Sequence, residues 1–365
     1  TAPAACACQT ASVVFFPMFV FSSRISFATL ALCAFPVVAQ TKAPAAKAPV
    51  SSSSGDLTFT PNGIRLERNA RGPARVQSPQ IDVSAQVISA VGTAPNYSQV
   101  SARGGVNLKL NLTPRDGGVP ARIEVKSSSA VLTVRERKVV LRGNLSGFYQ
   151  VQGGARNTLS GNVATLTYVS SGNLIADLEG GTRGVVLTLP AETLGRADDL
   201  GAVTIRAERA QFNQSAGTAT FSGKARAIST GGPNSFDVAA TSFVLTRNPD
   251  GSIKTLQTTG RTLVKLDVPP DAAAPGATAG KPTRVEVAAD GAVIERVTST
   301  ATFEGNVKGF YRLTPATGTP QNFDFAGSRA VIRYAGTPAG GNALAGLSVQ
   351  VSGATVQGPA FNFDF

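Results

Sequence analysis

Residues 122–149, RIEVKSSSAVLTVRERKVVLRGNLSGFY, align without a gap with residues 284–311, RVEVAADGAVIERVTSTATFEGNVKGFY. Ten of the 28 positions are identical: Arg122, Glu124, Val125, Ala130, Val131, Gly143, Asn144, Gly147, Phe148 and Tyr149 recur as Arg284, Glu286, Val287, Ala292, Val293, Gly305, Asn306, Gly309, Phe310 and Tyr311. Such a repeat decides architecture before any single motif does, because each copy is one supersecondary unit that needs a neighbour to cover its apolar face. The match extends outward from this core. GGVNLKLNL (104–112) corresponds to GRTLVKLDV (260–268), IDVSA (81–85) to FDVAA (236–240), and SGNVATLTY (160–168) to AGSRAVIRY (326–334). The offset between matched segments drifts from 155 to 166 residues, which places the insertions in loops such as TPRDGGVPA (113–121) and PPDAAAPGATAGKPT (269–283).

Within the matched segments the apolar period is two. Val106, Leu108, Leu110 and Leu112 alternate with Asn107, Lys109 and Asn111. Val264, Leu266 and Val268 alternate with Lys265 and Asp267, and Val203, Ile205 and Ala207 with Thr204, Arg206 and Glu208. A period of two sends successive side chains to opposite faces, so each segment reads as a half-buried strand. Turn chemistry separates the segments at Asn248-Pro249-Asp250-Gly251 and Ser215-Ala216-Gly217. With no helical crossover between strands, the sequence predicts an all-β protein: an elongated, open β-jellyroll or solenoid-like antiparallel sheet built from two tandem units, residues 57–200 and 201–365. Gly143, Gly223 and Gly305, each closing a phrase such as VVLRG, ATFSG or ATFEG, are 80 and 82 residues apart. That spacing predicts an older half-length repeat, with turns or bulges at the glycines.

The chain of 365 residues carries 34 basic and 22 acidic residues, a surplus that favours anionic partners. These charges are spread singly along strand-like segments rather than clustered with aromatics, which argues against nucleic acid. There is no His, and the three cysteines, Cys6, Cys8 and Cys33, all lie near the N-terminus. The rest of the chain therefore has neither a disulfide framework nor a soft metal site. Common acid/base and nucleophilic constellations are missing too, and carboxylates such as Asp198 and Asp199, or Asp237, have no second motif to frame them. The expectation is a non-enzymatic protein with no cofactor and no metal.

From Met18, MFVFSSR leads into the apolar run ISFATLALCAFPVVA (25–39), followed by the polar Gln40-Thr41-Lys42. Arg24 as a short positive region, the apolar stretch, and the small residues Val37 and Ala39 before a cleavage site make a signal peptide over residues 1–39, with an over-extended start before Met18. The same run has the length of an uncleaved membrane anchor. Residues 40–56 are rich in Ala, Pro and Ser and are expected to be a flexible linker, with packing from about Leu57 onward. An exported, periplasmic protein is the expected product.

VTIRAERAQFNQSAGTATFSGKARAIS (203–229) carries a strand ending in Ala-x-x-Ala (Ala207, Ala210), an aromatic (Phe212), a polar turn with Gly217, and a second strand closing on Phe221, Gly223 and Lys224. FDVAATSFVLTRNPDGSIKTLQTTGRTLVKL (236–266) follows as two further strands. The pattern resembles the OstA-type domain of the LptA/OstA lipopolysaccharide-transport family of periplasmic proteins. That resemblance implies an open, twisted β-jellyroll whose apolar interior carries acyl chains, and whose end strands pair with other proteins of the same fold to make a bridge toward the outer membrane. Longer Pro/Ala/Gly loops and two full units depart from a one-domain bridge.

The candidate lipid-groove residues are Ile205, Phe212, Phe221, Phe236, Val238, Phe243, Val264 and Leu266, with Val125 and Leu141 in the first unit. Sequence alone leaves two readings of these inward residues open, an ordinary core and a groove for acyl chains. The corresponding functions are a lipopolysaccharide-binding transport bridge with an anionic lipid as partner, and a structural or adhesive cell-surface repeat protein without a ligand. An anchored docking partner of the same transport system is the third. The pairs Arg122/Glu124, Arg206/Glu208 and Arg284/Glu286 are expected to be solvated ion pairs along one strand face. The closing AFNFDF (360–365) is expected to be an edge strand.

Overall fold

In the computed structural model the chain is a continuous antiparallel meander. The structure describes residues 52–79, 81–93, 96–112, 120–168, 174–194, 201–231, 235–248, 253–268, 283–295, 298, 300–313, 319, 321–334, 347–353 and 355–357. The expected signal segment, the long loops 113–119 and 269–282, the Pro249-Asp250-Gly251 turn, Asp198, Asp199 and AFNFDF lie outside the described residues.

The first strands are β1 (Ser52–Ser54), β2 (Asp56–Thr60), β3 (Gly63–Glu67), β4 (Ala74–Gln77), β5 (Ile81–Ala85) and β6 (Val87–Thr93). Four long strands follow: β7 (Asn96–Leu112), β8 (Ala121–Thr133), β9 (Lys138–Val151) and β10 (Arg156–Tyr168). Next come β11 (Leu174–Glu179), β12 (Val185–Leu189), β13 (Gly201–Ala207) and β14 (Arg209–Asn213). A second long series comprises β15 (Thr218–Gly231), β16 (Ser235–Arg247), β17 (Ile253–Val268), β18 (Thr283–Glu295), β19 (Thr300–Leu313) and β20 (Gln321–Tyr334), closed by β21 (Leu347–Ser352) and β22 (Thr355–Gln357). Short 3-10 turns at Gly181–Arg183 and Ala191–Leu194 are the helical elements among the described residues. Ser52–Ser54 pairs with Arg75–Gln77, so strand pairing starts a few residues before the Leu57 boundary read from the sequence.

The long strands pair with their sequence neighbours and are bent near their middles, whereas short strands skip a neighbour that lies across the bend, β1 pairing with β4, β3 with β6, β5 with β7 and β11 with β14. The pairing register shifts at these bends: between Arg103 and Val106 on β7, Lys126 and Ser129 on β8, Ser222 and Ala225 on β15, Thr259 and Thr262 on β17, and Glu304 and Val307 on β19. Where the bend is sharpest the strand breaks in two, as between β11 and β12, or between β13 and β14. Aligned bends fold the whole sheet lengthwise into two walls. One wall carries β2, β3, β6, β11, β14 and β21 with one half of each long strand; the other carries β1, β4, β5, β12, β13 and β22 with the remaining halves.

The bend has a chemical cause. Gly143-Asn144, Gly223-Lys224 and Gly305-Asn306 have positive φ at both residues, +81° and +47°, +79° and +49°, and +75° and +47°. Only Gly adopts this region freely, and Asn tolerates it better than most. Opposite each glycine, fifteen residues upstream, stands a polar side chain, Ser128, Glu208 or Asp290, whose oxygen would lie 2.6 Å from an added Cβ. The Glu208 amide donates to both Ser222 and Gly223 carbonyls, at 3.1 and 3.0 Å, which closes the bulge. Gly223→Val should therefore cost about 2 kcal/mol through backbone strain and displacement of Glu208, read as a lowered urea midpoint with an unchanged slope.

Outside the walls, charge fixes the register. Asp82 lies opposite Lys109, Lys109 opposite Glu124 and Glu124 opposite Phe148. The second series repeats the order residue for residue: Asp237 opposite Lys265, Lys265 opposite Glu286, Glu286 opposite Phe310. A one-residue slip would set these ladders against the apolar face, so the pairs specify as much as they stabilise. Arg75 grips Asp82 with Nε and Nη2 at 2.8 and 2.7 Å, and those hydrogen bonds, helped by the charges of Arg75, Lys109 and Arg122, hold the carboxyl below its usual range. A depressed folded-state value means this stabilisation is present above about pH 3.9 and is lost as the pH falls through the folded value. For Asp82→Asn the urea midpoint should drop by the equivalent of under about 1 kcal/mol at pH 7, a difference that narrows on acidification below pH 4.

Candidate functional site

The inner faces of both walls meet in one apolar cluster that runs from Ile81 to Ile332. A smaller cluster around Leu66, Ala74, Ala85, Ile88, Ala102 and Val106 adjoins it at the N-terminal end. All ten candidate groove residues belong to or pack on the large cluster. Ile205, Val238, Val264 and Val125 are buried in one wall, with Phe236 and Leu266 half-buried toward its rim. Phe221, Phe243 and Leu141 are buried in the other wall, each 0% exposed, with Phe212 half-buried toward that rim. The register brings several of them side by side: Phe221 faces Phe243 across β15 and β16, Val238 faces Val264, and Phe236 faces Leu266. The Phe212 ring meets the Phe221 ring edge-on at 5.8 Å.

These side chains fill the space between the walls. Phe303, also 0% exposed, is a further large member that reading the sequence missed, although the repeat alignment pairs it with Leu141. Phe325 is another, its ring seated where a Cβ on Gly309 would stand. At the N-terminal end the interior is less covered. Leu57 and Phe59 on β2 lie opposite Leu66 and Ile64 on the inner face, yet remain 48% and 64% exposed.

No known protein family and no curated protein matches this sequence. Among solved structures the chain is similar to LptH of Pseudomonas aeruginosa, described as the LptA homologous periplasmic component of the lipopolysaccharide transport device. The likeness has 12% identity and a TM-score of 0.28. It covers 36% of this chain and 84% of LptH.

The charged outer faces correct part of the sequence reading. Arg122 and Glu124 do pair along their strand, at 3.0 Å. Arg284 instead holds Asp267 on the neighbouring strand, while Glu286 takes Lys265. Glu208 takes Lys224, not Arg206. On a strand, a directly opposed partner stands closer than the residue two positions along, and the sequence of one strand does not reveal its neighbour. Burial raises the Tyr168 and Tyr311 phenols above their ordinary value, so both stay neutral. Among the described residues no helix is long and apolar enough to cross a membrane, and no cluster of acidic side chains is placed to hold a metal.

Proposed function

We propose that this protein is a periplasmic lipopolysaccharide-transport component that carries acyl chains between the two walls of its folded sheet and passes them along a bridge. The observation that supports this reading is the continuity of the apolar interior, which is unbroken across both strand series from Ile81 to Ile332. Next to the smaller cluster at the N-terminal end, Leu57 and Phe59 on β2 are exposed on the inner face, opposite Leu66 and Ile64. Each buried methylene of an acyl chain would contribute roughly 0.8 kcal/mol. Since the wall side chains now fill the interior, lipid enters by parting the walls. Neighbouring proteins of the same fold would join at the outer edges of β2 and β21. The close burial of Phe221, Phe243 and Phe303 favours a second reading, a ligand-free structural repeat protein with a dry core.

A photo-reactive residue at Leu266, half-buried near the rim, separates the two. Irradiation with lipopolysaccharide should give a crosslinked lipid adduct, competed by unlabelled lipid. Absence of any adduct, at Leu266 and equally at Phe59, would leave the structural reading standing.

A further inference from the structure

The two strand series share their register on the outer face of the wall that carries β7 to β10 and β17 to β20, and they differ there in charge. The second series carries Lys265, Arg284, Lys308 and Arg312 against three carboxylates, Asp267, Glu286 and Asp324. The first carries Lys109, Arg122, Lys126 and Arg156 against Glu124 alone. The missing carboxylates fall at specific places. Asp267, directly opposite Arg284, is replaced by Asn111 opposite Arg122, and Asp324, opposite Phe310, is replaced by Thr158 opposite Phe148.

The consequence shows in the contacts. Asp267 accepts from Arg284 at both Nε and Nη2, 2.7 and 3.3 Å. Among the described residues Arg122 makes one side-chain hydrogen bond, Nη2 to Glu124 at 3.0 Å, and Glu124 also stands opposite Lys109. Arg122 and Arg156 instead flank the Phe148 ring, their guanidinium carbons 5.8 and 4.6 Å from its centroid. Beside Arg122 the rim of the wall has an open recess of about 420 Å³. Its lining joins polar residues of the outer face, Asn111, Arg122 and Gln150, to apolar residues of the inner face, Leu112, Ala121 and Val151. Leu112 itself packs on the large apolar cluster.

We propose that this rim recess is an anion site for a phosphate group, held by Arg122, with the substituent of the phosphate directed over the lip toward Leu112 and Val151; the Asn111 amide donates to the Pro79 carbonyl at 2.9 Å and the Gln150 amide to the Gly154 carbonyl at 2.8 Å, so these two border the site and leave the anion to the guanidinium. A guanidinium with spare donors suits a phosphate better than an ammonium does. The site belongs to the first series alone, because Asp267 already satisfies the matching arginine in the second. Its role as a head-group site rests on the acyl-carrier reading above, whereas the anion site itself does not.

The test compares monomeric dodecyl phosphate with uncharged dodecyl glucoside by calorimetry. Wild-type protein should bind the phosphate about tenfold more tightly. Arg122→Gln and Asn111→Asp should each bring the two ligands to within about twofold, and Arg284→Gln should keep the wild-type preference. Asn111→Asp guards against misfolding, since the second series carries Asp at that position, and circular dichroism verifies both variants. A preference that survives Arg122→Gln and Asn111→Asp overturns the site. Should neither amphiphile bind, phosphorus NMR of inorganic phosphate decides: line broadening removed by Asn111→Asp supports the anion site with free phosphate as its source and counts against the acyl carrier. No broadening together with no preference overturns the proposal.

Discussion

Phe243→Asp should abolish cooperative melting of the protein near its normal temperature. The ring is fully buried and lies directly between Phe221 on β15 and Thr258 on β17. Thr258 cannot compensate a carboxylate, because its hydroxyl is already shared with Thr262 at 2.8 Å and accepts the Ala292 amide, also at 2.8 Å. A carboxylate left there is unpaired in apolar surroundings, and the loss should reach about 5 kcal/mol, at the diagnostic end of single substitutions. Burial disfavours the charged form, so the variant's carboxyl would titrate above its unfolded value and part of the loss should be recovered as the pH is lowered through that raised value. Phe243→Leu, which removes volume without adding charge, provides the reference. Thermal melts by circular dichroism and lipid crosslinking are read on the same samples. A variant that melts normally yet captures no lipid would mean that water reaches the interior, as in an open groove; one that unfolds places Phe243 in a closed core that lipid can enter only by separating the walls.

Much of this architecture was legible because period two is a local signal. Val106, Leu108 and Leu110 on β7 are all buried, as the alternation with Asn107, Lys109 and Asn111 requires. Glycine punctuation was legible too: Gly143, Gly223 and Gly305 occupy bulges, and the Ser215-Ala216-Gly217 turn forms with Gly217 at φ +60°. The Ala-x-x-Ala phrase acquires a physical reason only in three dimensions. Ala207 and Ala210, 5% and 3% exposed, flank the break at Glu208, one in each wall, and larger side chains there would hold the walls apart at the fold. What the sequence does not carry is pairing across strands. Glu208 looks like a partner for Arg206 along the chain, yet the bulge turns it toward Lys224, and only the register shift at Gly223 explains this. The candidate groove was read largely from the second series, and its counterparts in the first, beyond Val125 and Leu141, needed the paired strands to be recognised. Whether an inward face lines a gap or fills it depends on the distance between walls, which no alternation pattern encodes.

Phe303→Ala should cost about 3–5 kcal/mol, whereas Phe303→Leu should cost only about 1 kcal/mol. Phe303 stands between two alanines, Ala292 on β18 and Ala330 on β20, 3% and 0% exposed, so one large ring supplies nearly all the side-chain volume across three strands. The first series solves the same problem with a smaller residue: Leu141 stands between Ala130 and Ala164. A leucine is therefore sufficient at this point of the fold once the opposite wall relaxes, while an alanine would put three alanines abreast and leave a void that backbone hydrogen bonding keeps from collapsing. Urea denaturation of the two variants supplies both numbers under one slope. The void would be apolar and closed, a kind of cavity that stays dry and accepts apolar guests. Phe303→Ala should consequently be restabilised by a short-chain alcohol or benzene at millimolar concentration, and Phe303→Leu should not. If Phe303→Ala instead costs less than about 1 kcal/mol and gains nothing from such guests, the ring is not sustaining a packed interior, and the space between the walls at this point is already wide enough for an acyl chain to lie beside it.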